Sequence, residues 1–219
     1  VTSLLRVLEE KPKSVVVVMG GAKISTKLKV LERFLKRGST VLLGGALANN
    51  FFKALGLEVG ESLWSKDEVA LARKFMRASR LYLPPDVIVA KEKKENARVR
   101  MIPPTAVKED EIILDVGLTA LCEYQAILNK AKTIIWNGPL GLTEIPTFAH
   151  GSLMLGRTIA KRAEFGAFTV VGGGDTLPIV EMTGMSHTFS FVSTGGGAML
   201  EFLSGQMLPG IIPLVNKNE

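Results

Sequence analysis

A chain of 219 residues with 47% apolar and 22% charged content reads as one large globular domain with a sizeable core. Its single cysteine excludes an internal disulfide framework, and no run of about 18 apolar residues is present to cross a bilayer; both fit a soluble protein of the reducing cytoplasm, with no membrane partner. The net charge of +6 has its local excess in Lys91-Glu92-Lys93-Lys94 and Arg98-Val99-Arg100, mixed with Glu95 and without flanking aromatics, so a solvated loop and edge is preferred to a nucleic-acid surface. In chain order, Leu4, Leu5, Val7 and Leu8 recur at helical spacing, which predicts a short amphipathic lead-in helix over 4–10. Short β-branched runs follow, each leading into a helical pattern. They predict strands at 14–19, 40–43, 86–90, 133–136, 168–171 and 189–192. Helices are predicted near 24–37, 47–55, 66–79, 118–130, 150–165, 176–183 and 197–204. Near-continuous apolar strands alternating with helices imply an α/β fold: a three-layer, doubly wound, Rossmann-like parallel sheet of about six strands with helices on both faces. The segment 91–115, with Pro103-Pro104 and mixed charge, reads as an irregular excursion with a short strand at either end.

The chain opens Val1-Thr2-Ser3-Leu4-Leu5, without an initiator methionine or the sections of a secretory leader, and reads as a piece of something longer. Residues 1–13 are taken as a lead-in, 14–212 as the main domain and 213–219 as a tail. Cys122, in a helical pattern, is read as a small buried hydrophobe. His150 at a helix start and His187 in a loop are read as surface residues.

Several strands run into similar turns: Met19-Gly20-Gly21-Ala22, Leu43-Gly44-Gly45-Ala46, Val171-Gly172-Gly173-Gly174-Asp175 and Thr194-Gly195-Gly196-Gly197-Ala198, with Trp136-Asn137-Gly138-Pro139 as a variant. In an open parallel sheet such turns share the carboxyl edge, where ligands bind. Glycine lets backbone approach an anion, and a following helix aims free N–H groups at it. Neither G-x-x-x-x-G-K-[ST] nor a complete G-x-G-x-x-G is present, which disfavours a nicotinamide-dependent dehydrogenase. Zinc-ligand spacings and a G-x-S-x-G elbow are also absent. Lys23 and Lys27, four apart, are expected on one face of a helix N-terminus, where the dipole disfavours cations. They are either two solvated lysines or a pair reaching one anion. Asp175 is open to two compatible readings, an N-cap and a carboxylate beside a phosphate-bound Mg²⁺. The chemistry at hand is phosphate positioning, and phosphoryl transfer needs little else from a protein.

The runs Gly20-Gly21-Ala22-Lys23-Ile24-Ser25-Thr26-Lys27, Trp136-Asn137-Gly138-Pro139-Leu140-Gly141, Gly172-Gly173-Gly174-Asp175-Thr176 and Val192-Ser193-Thr194-Gly195-Gly196-Gly197-Ala198 closely resemble phosphoglycerate kinase, in order and spacing, from about Val15 to Ile211. The resemblance covers only that family's C-terminal half, which binds Mg-ATP or Mg-ADP. It implies that Lys23 contacts the transferred phosphoryl group, that Lys27 and Asn137 face the nucleotide phosphates, and that Asp175 holds the magnesium ion with Thr176 beside it. Gly173 and Gly174 would, by the same resemblance, belong to the nucleotide turn. Gly21, Ala22, Gly44, Gly45, Leu114, Pro139 and Leu142 would line an adenine slot, and Glu144 would bind the ribose. Gly195, Gly196 and Gly197 would offer amides to the phosphoryl group in flight. No histidine base is needed, because an attacking carboxylate has no proton to lose.

Leu118, Thr143 and Phe191 depart from the family pattern; the first two are expected at the adenine slot or its rim, and Phe191 where the two halves couple. In the family, a basic N-terminal domain binds 3-phosphoglycerate and supplies a catalytic arginine, with no counterpart here. The chain is therefore expected to be a monomer that binds nucleotide without completing the transfer alone. A diverged nucleotide-binding module that never had a kinase partner domain is the alternative.

Overall fold

The computed structural model describes residues 2–22 and 24–206. In chain order the strands are β1 (Val15–Met19), β2 (Thr40–Leu43), β3 (Leu81–Tyr82), β4 (Val87–Ala90), β5 (Arg100–Ile102), β6 (Ile112–Val116), β7 (Thr133–Asn137), β8 (Phe168–Gly172) and β9 (Phe191–Ser193). The helices are α1 (Thr2–Glu9), α2 (Leu28–Lys36), α3 (Gly45–Ala54), α4 (Lys66–Arg73), α5 (Leu118–Leu128), α6 (His150–Glu164), α7 (Leu177–Met182) and α8 (Gly196–Ser204).

Six strands form one sheet in the order β3-β2-β1-β7-β8-β9, every pair parallel. Successive strand side chains point to opposite faces, and successive residues of β1 accordingly enter different cores. Val15, Val17 and Met19 pack with Leu31 and Phe34 of α2 and Leu203 of α8. Val16 and Val18 pack with Tyr124 of α5 and Leu155 and Ile159 of α6. Each such aliphatic side chain contributes about 1.5–3 kcal/mol when fully buried. Helices thus cover both faces of a parallel sheet, as the composition of its strands implies. Among the described residues no helix is long and apolar enough to cross a membrane.

The strand at 86–90 is not in this sheet. β4 pairs antiparallel with β5 and β6 in a separate three-stranded sheet, order β5-β4-β6. Val87 and Val89 pack on Ala48 and Phe52 of α3, while Ala90 faces Leu114 and Phe148. A strand covered on both faces reads as a continuous apolar run whichever way its neighbours point. The sixth parallel strand is instead β3, two residues paired with Val41 and Leu42. The excursion over 91–115 does hold strands, β5 near its middle and β6 at its end.

Helix α2 starts at Leu28, not at 24: residues 24–27 form turns, and the Lys27 N–H donates to the Ile24 carbonyl at 2.7 Å. Lys27 therefore precedes the helix instead of lying a turn inside it. Helix α4 stops at Arg73 because the next residues tighten into three-residue hydrogen bonds, Lys74 to Leu71 and Phe75 to Ala72. Cys122 is exposed, since α5 buries Ala120, Leu121, Tyr124 and Leu128 and turns Cys122 away from that face. His150 and His187 are exposed. The expected tail, 213–219, lies outside the described residues.

Three buried side chains anchor α5 and α6. Asp86 accepts the Thr119 and Ala120 N–H groups at 2.9 and 2.7 Å, capping α5, and the Tyr124 hydroxyl donates to the Leu43 carbonyl at 2.6 Å. Asp115 at the end of β6 accepts the Val116 N–H at 2.9 Å and the Gly151 N–H of α6 at 2.8 Å.

Candidate functional site

Because the six strands are parallel, all five glycine junctions leave the sheet at its carboxyl edge. There the turns pack on one another. Gly45 has φ +62°, and a Cβ on it would lie 2.7 Å from the Gly21 nitrogen and 2.8 Å from the Pro139 oxygen. A Cβ on Gly196 would lie 2.6 Å from the Gly173 Cα. Gly20 donates to Asn137 O at 3.0 Å, Gly21 to Pro139 O at 2.8 Å, Gly44 to Met19 O at 3.0 Å and Gly45 to Leu140 O at 2.8 Å. These four amides are used inside the protein. Their glycines allow turn-to-turn contact and shape a cavity; they do not present donors to an anion. The first-turn amides of α8, by contrast, have no intrahelical acceptor.

Two hollows adjoin along this edge. The first, about 210 Å³, is mainly apolar; Gly45, Leu114, Pro139, Leu142 and Glu144 are among its walls. The second, about 410 Å³, is bounded by Lys27, Asn137, Gly138, Gly173, Gly174, Thr176, Gly196 and Gly197. Gly21, Ala22 and Asp175 line both, so the hollows form one groove, with an aliphatic-walled end at Leu114 and Leu142 and a second, the polar end, of glycine turns with Lys27, Asn137 and Thr176.

Individual residues divide into those that face the groove with a charge and those that build its wall. Burial lowers the pKa of the Lys27 ammonium, and the Asp175 and Glu68 carboxylates act in the opposite direction. Asp175 is exposed, and the residue before α7 is Thr176, so Asp175 does not occupy the N-cap position. Thr176 is fully buried and its Oγ1 accepts the Gly138 N–H at 2.8 Å. Asn137 is buried and its Nδ2 donates to Gly172 O at 2.8 Å. Both tie neighbouring turns together.

Of the sequence-derived site residues, Gly44 and Gly195 do not line the groove. Gly44 sits beneath the Leu140 side chain, and Gly195 precedes α8 with its carbonyl accepting from Met199 at 2.8 Å. Lys23 lies outside the described residues. Leu118 is exposed at the start of α5, and neither it nor Thr143 lines the groove; Phe191 packs on the first core.

Sequence reasoning missed Asn49, Leu63, Lys93 and Asp115, all on the apolar hollow. Lys93 belongs to the loop read as solvated, which holds for its neighbours: Lys91 pairs with Asp110 at 2.5 Å and Lys94 with Glu92 at 2.7 Å. Burial pushes Asp115 up to about 7, against the two amides that favour its charge. An acid immediately before Val116-Gly117 carries no motif that would have marked it.

The family model of phosphoglycerate kinase matches residues 1–206. This chain belongs to the phosphoglycerate kinase family. Phosphoglycerate kinases of Thermus thermophilus and Mannheimia succiniciproducens are 44% and 39% identical over 216 and 209 residues, covering 96% and 95% of this chain but 55% and 54% of their own length. The structure of phosphoglycerate kinase from Coxiella burnetii superposes with TM-score 0.92 at 39% identity, over 99% of this chain and 56% of that one. That of the Pyrococcus horikoshii kinase gives 0.82 at 31% identity, over 97% and 54%. The chain thus spans about half the length of the family members it matches.

Proposed function

We propose that this chain is the nucleotide-binding half of a phosphoglycerate kinase, and that it holds Mg-ADP or Mg-ATP along the two-ended groove. In the full-length protein it would serve reversible phosphoryl transfer between ATP and 3-phosphoglycerate. The observation that carries the reading is the union, at Gly21, Ala22 and Asp175, of a hollow walled by Leu114, Pro139 and Leu142 with one walled by glycine turns and Lys27. A nucleotide has the same polarity along its length: a flat base, then a ribose, then phosphates.

In this assignment Leu114, Pro139 and Leu142 pack on the base and Glu144 takes the ribose hydroxyls. Lys27 and the α8 amides of Gly196 and Gly197 face the phosphates. Lys27 is half withdrawn from water, so a phosphate there meets a cation whose hydration is already reduced. Mg²⁺ suits the donor set: Asp175 offers one exposed carboxylate, and Mg²⁺ completes its shell from phosphates and water. The ion would neutralise phosphate charge. Lys23 is assigned to the transferring phosphoryl group by resemblance alone.

The acid substrate belongs, by the same resemblance, to the half of the enzyme that these residues do not span. The chain alone is therefore expected to bind nucleotide without efficient turnover. Calorimetric titration with Mg-ADP and with NAD tests the first part: Mg-ADP binding that is weakened by Asp175→Ala and Lys23→Ala is expected. NAD binding indifferent to both substitutions would overturn it. A coupled assay tests the second, and robust 1,3-bisphosphoglycerate turnover by this chain would contradict it.

A further inference from the structure

Glu68 lies on α4, 43 and 44 residues from the loop between β1 and α2, yet its carboxylate reaches that loop. Oε2 accepts the Ile24 N–H, and both oxygens accept the Ser25 N–H, at 3.0 and 3.1 Å. The approach is built from several elements. Ser65 caps α4, its Oγ accepting the Glu68 N–H at 3.3 Å. Ser65 N–H in turn donates to Asn50 Oδ1 at 3.0 Å, and Asn49 Nδ2 donates to Leu63 O at 3.1 Å, so α3 fixes where α4 begins. On the loop side, Ile24 is fully buried in the first core.

The loop that Glu68 holds forms one wall of the polar hollow through Ala22, Thr26 and Lys27. Its first residues are fastened to the β7 turn through Gly20 and Gly21, and its last enter α2. In the stretch between, Ile24 and Ser25 carry N–H groups that a helix or strand would otherwise satisfy. Glu68 satisfies them, and charge-assisted bonds of this kind are roughly twice as strong as neutral ones. The same carboxylate lies close enough to Lys27 to favour its charged form, as Asp175 does.

We infer that Glu68 is a positioning residue for the nucleotide phosphates: it holds the 24–27 turn so that Lys27 meets the polar hollow already ordered. This rests on the nucleotide reading above. Without Glu68 the loop is released, and ordering it becomes part of the cost of binding phosphate. The base end of the groove is built mainly from β6 and the Pro139–Leu142 segment and, among the described residues, meets this loop at Gly21 and Ala22, ahead of the turn that Glu68 holds.

The test compares Glu68→Ala and Glu68→Gln for Mg-ADP and for adenosine, with amide hydrogen exchange as a second readout. Glu68→Ala is expected to weaken Mg-ADP by about tenfold and to leave adenosine unchanged. Exchange at Ile24 and Ser25 is expected to rise while β1 stays protected. Glu68→Gln is expected to restore part of the affinity, since an amide oxygen in the place of Oε2 still accepts both N–H groups while the charge is lost and the amide nitrogen in the place of Oε1 cannot accept from Ser25. Unchanged Mg-ADP affinity in Glu68→Ala, or equal losses for Mg-ADP and adenosine, would overturn the inference. Failure of the unsubstituted chain to bind Mg-ADP would instead remove the nucleotide reading beneath it, whatever the exchange data show.

Discussion

Replacing Gly196 with alanine presses on the contact between the last two glycine turns. The added Cβ would lie 2.6 Å from Gly173 Cα and 2.9 Å from Gly173 N, and must retreat about 0.8 Å to reach the 3.4 Å at which ordinary contact begins. Gly173 cannot easily give way, because its φ is +110° and the Asn137 and Thr176 side chains already stand about 3 Å from the position of its own missing Cβ. The start of α8 must move instead. Overpacking of this kind costs about 1–3 kcal/mol, set against a gain of up to about 1 kcal/mol from replacing glycine in a helix. A net loss of about 1–2 kcal/mol is expected. Gly197→Ala is the control, since a Cβ there meets nothing within 4 Å. It is expected to leave stability unchanged or slightly raised. Urea unfolding followed by tryptophan fluorescence measures both, with Trp136 fully buried in β7 as the reporter. The shift of α8 amides should also weaken Mg-ATP by roughly tenfold, the worth of one hydrogen bond to a charged group. A Gly196→Ala protein as stable as Gly197→Ala would refute the idea that turn packing, and not anion contact alone, requires this glycine.

Asp115 has its carboxyl pushed from 3.8 up to about 7 by burial, so between those values the native state holds a proton that the unfolded chain has lost. Stability therefore falls as pH rises through that window, by about 2–3 kcal/mol between pH 5 and 8. Asp115→Asn should abolish this slope in urea titrations, and a slope that persists would contradict the assignment. Asp86→Ala leaves the Thr119 and Ala120 N–H groups without their acceptor at the start of α5. It should cost about 2–4 kcal/mol, and a loss under about 1 kcal/mol would show that water replaces the cap. Lys27 has its pKa lowered from 10.5 by burial, and bound phosphate favours its charged form. Mg-ADP affinity should therefore begin to fall at a lower alkaline pH than an ordinary lysine would give, and Lys27→Met should lose that dependence. An affinity in the unsubstituted chain that stays flat through the alkaline range would contradict this.

The apolar runs at 15–19, 40–43, 133–137 and 168–172 made the parallel core legible, because strands buried on both faces need no polar alternation. Parallel pairing then placed every glycine junction on one edge. What the junctions do was less legible. A glycine that admits an anion and one that admits a neighbouring turn look alike in sequence, and only the hydrogen bonds of Gly20, Gly21, Gly44 and Gly45 separate the cases. β4 was misplaced because burial on both faces says nothing of strand direction, and β3 was missed because two residues hold no period. Glu68 stayed hidden for another reason. An acid in the first turn of a helix is ordinarily a response to the helix dipole, and its reach to Ile24 and Ser25 exists only in three dimensions.

In the nucleotide reading both ends of the groove hold one ligand. Adding Mg-ADP to isotopically labelled chain and following amide resonances tests it most directly. Simultaneous, saturable shifts are expected at Leu114 and Leu142 on the apolar side and at Gly174, Gly196 and Gly197 on the polar side, with adenosine moving only the first set. Shifts confined to one end with Mg-ADP, or centred away from the groove, would contradict it.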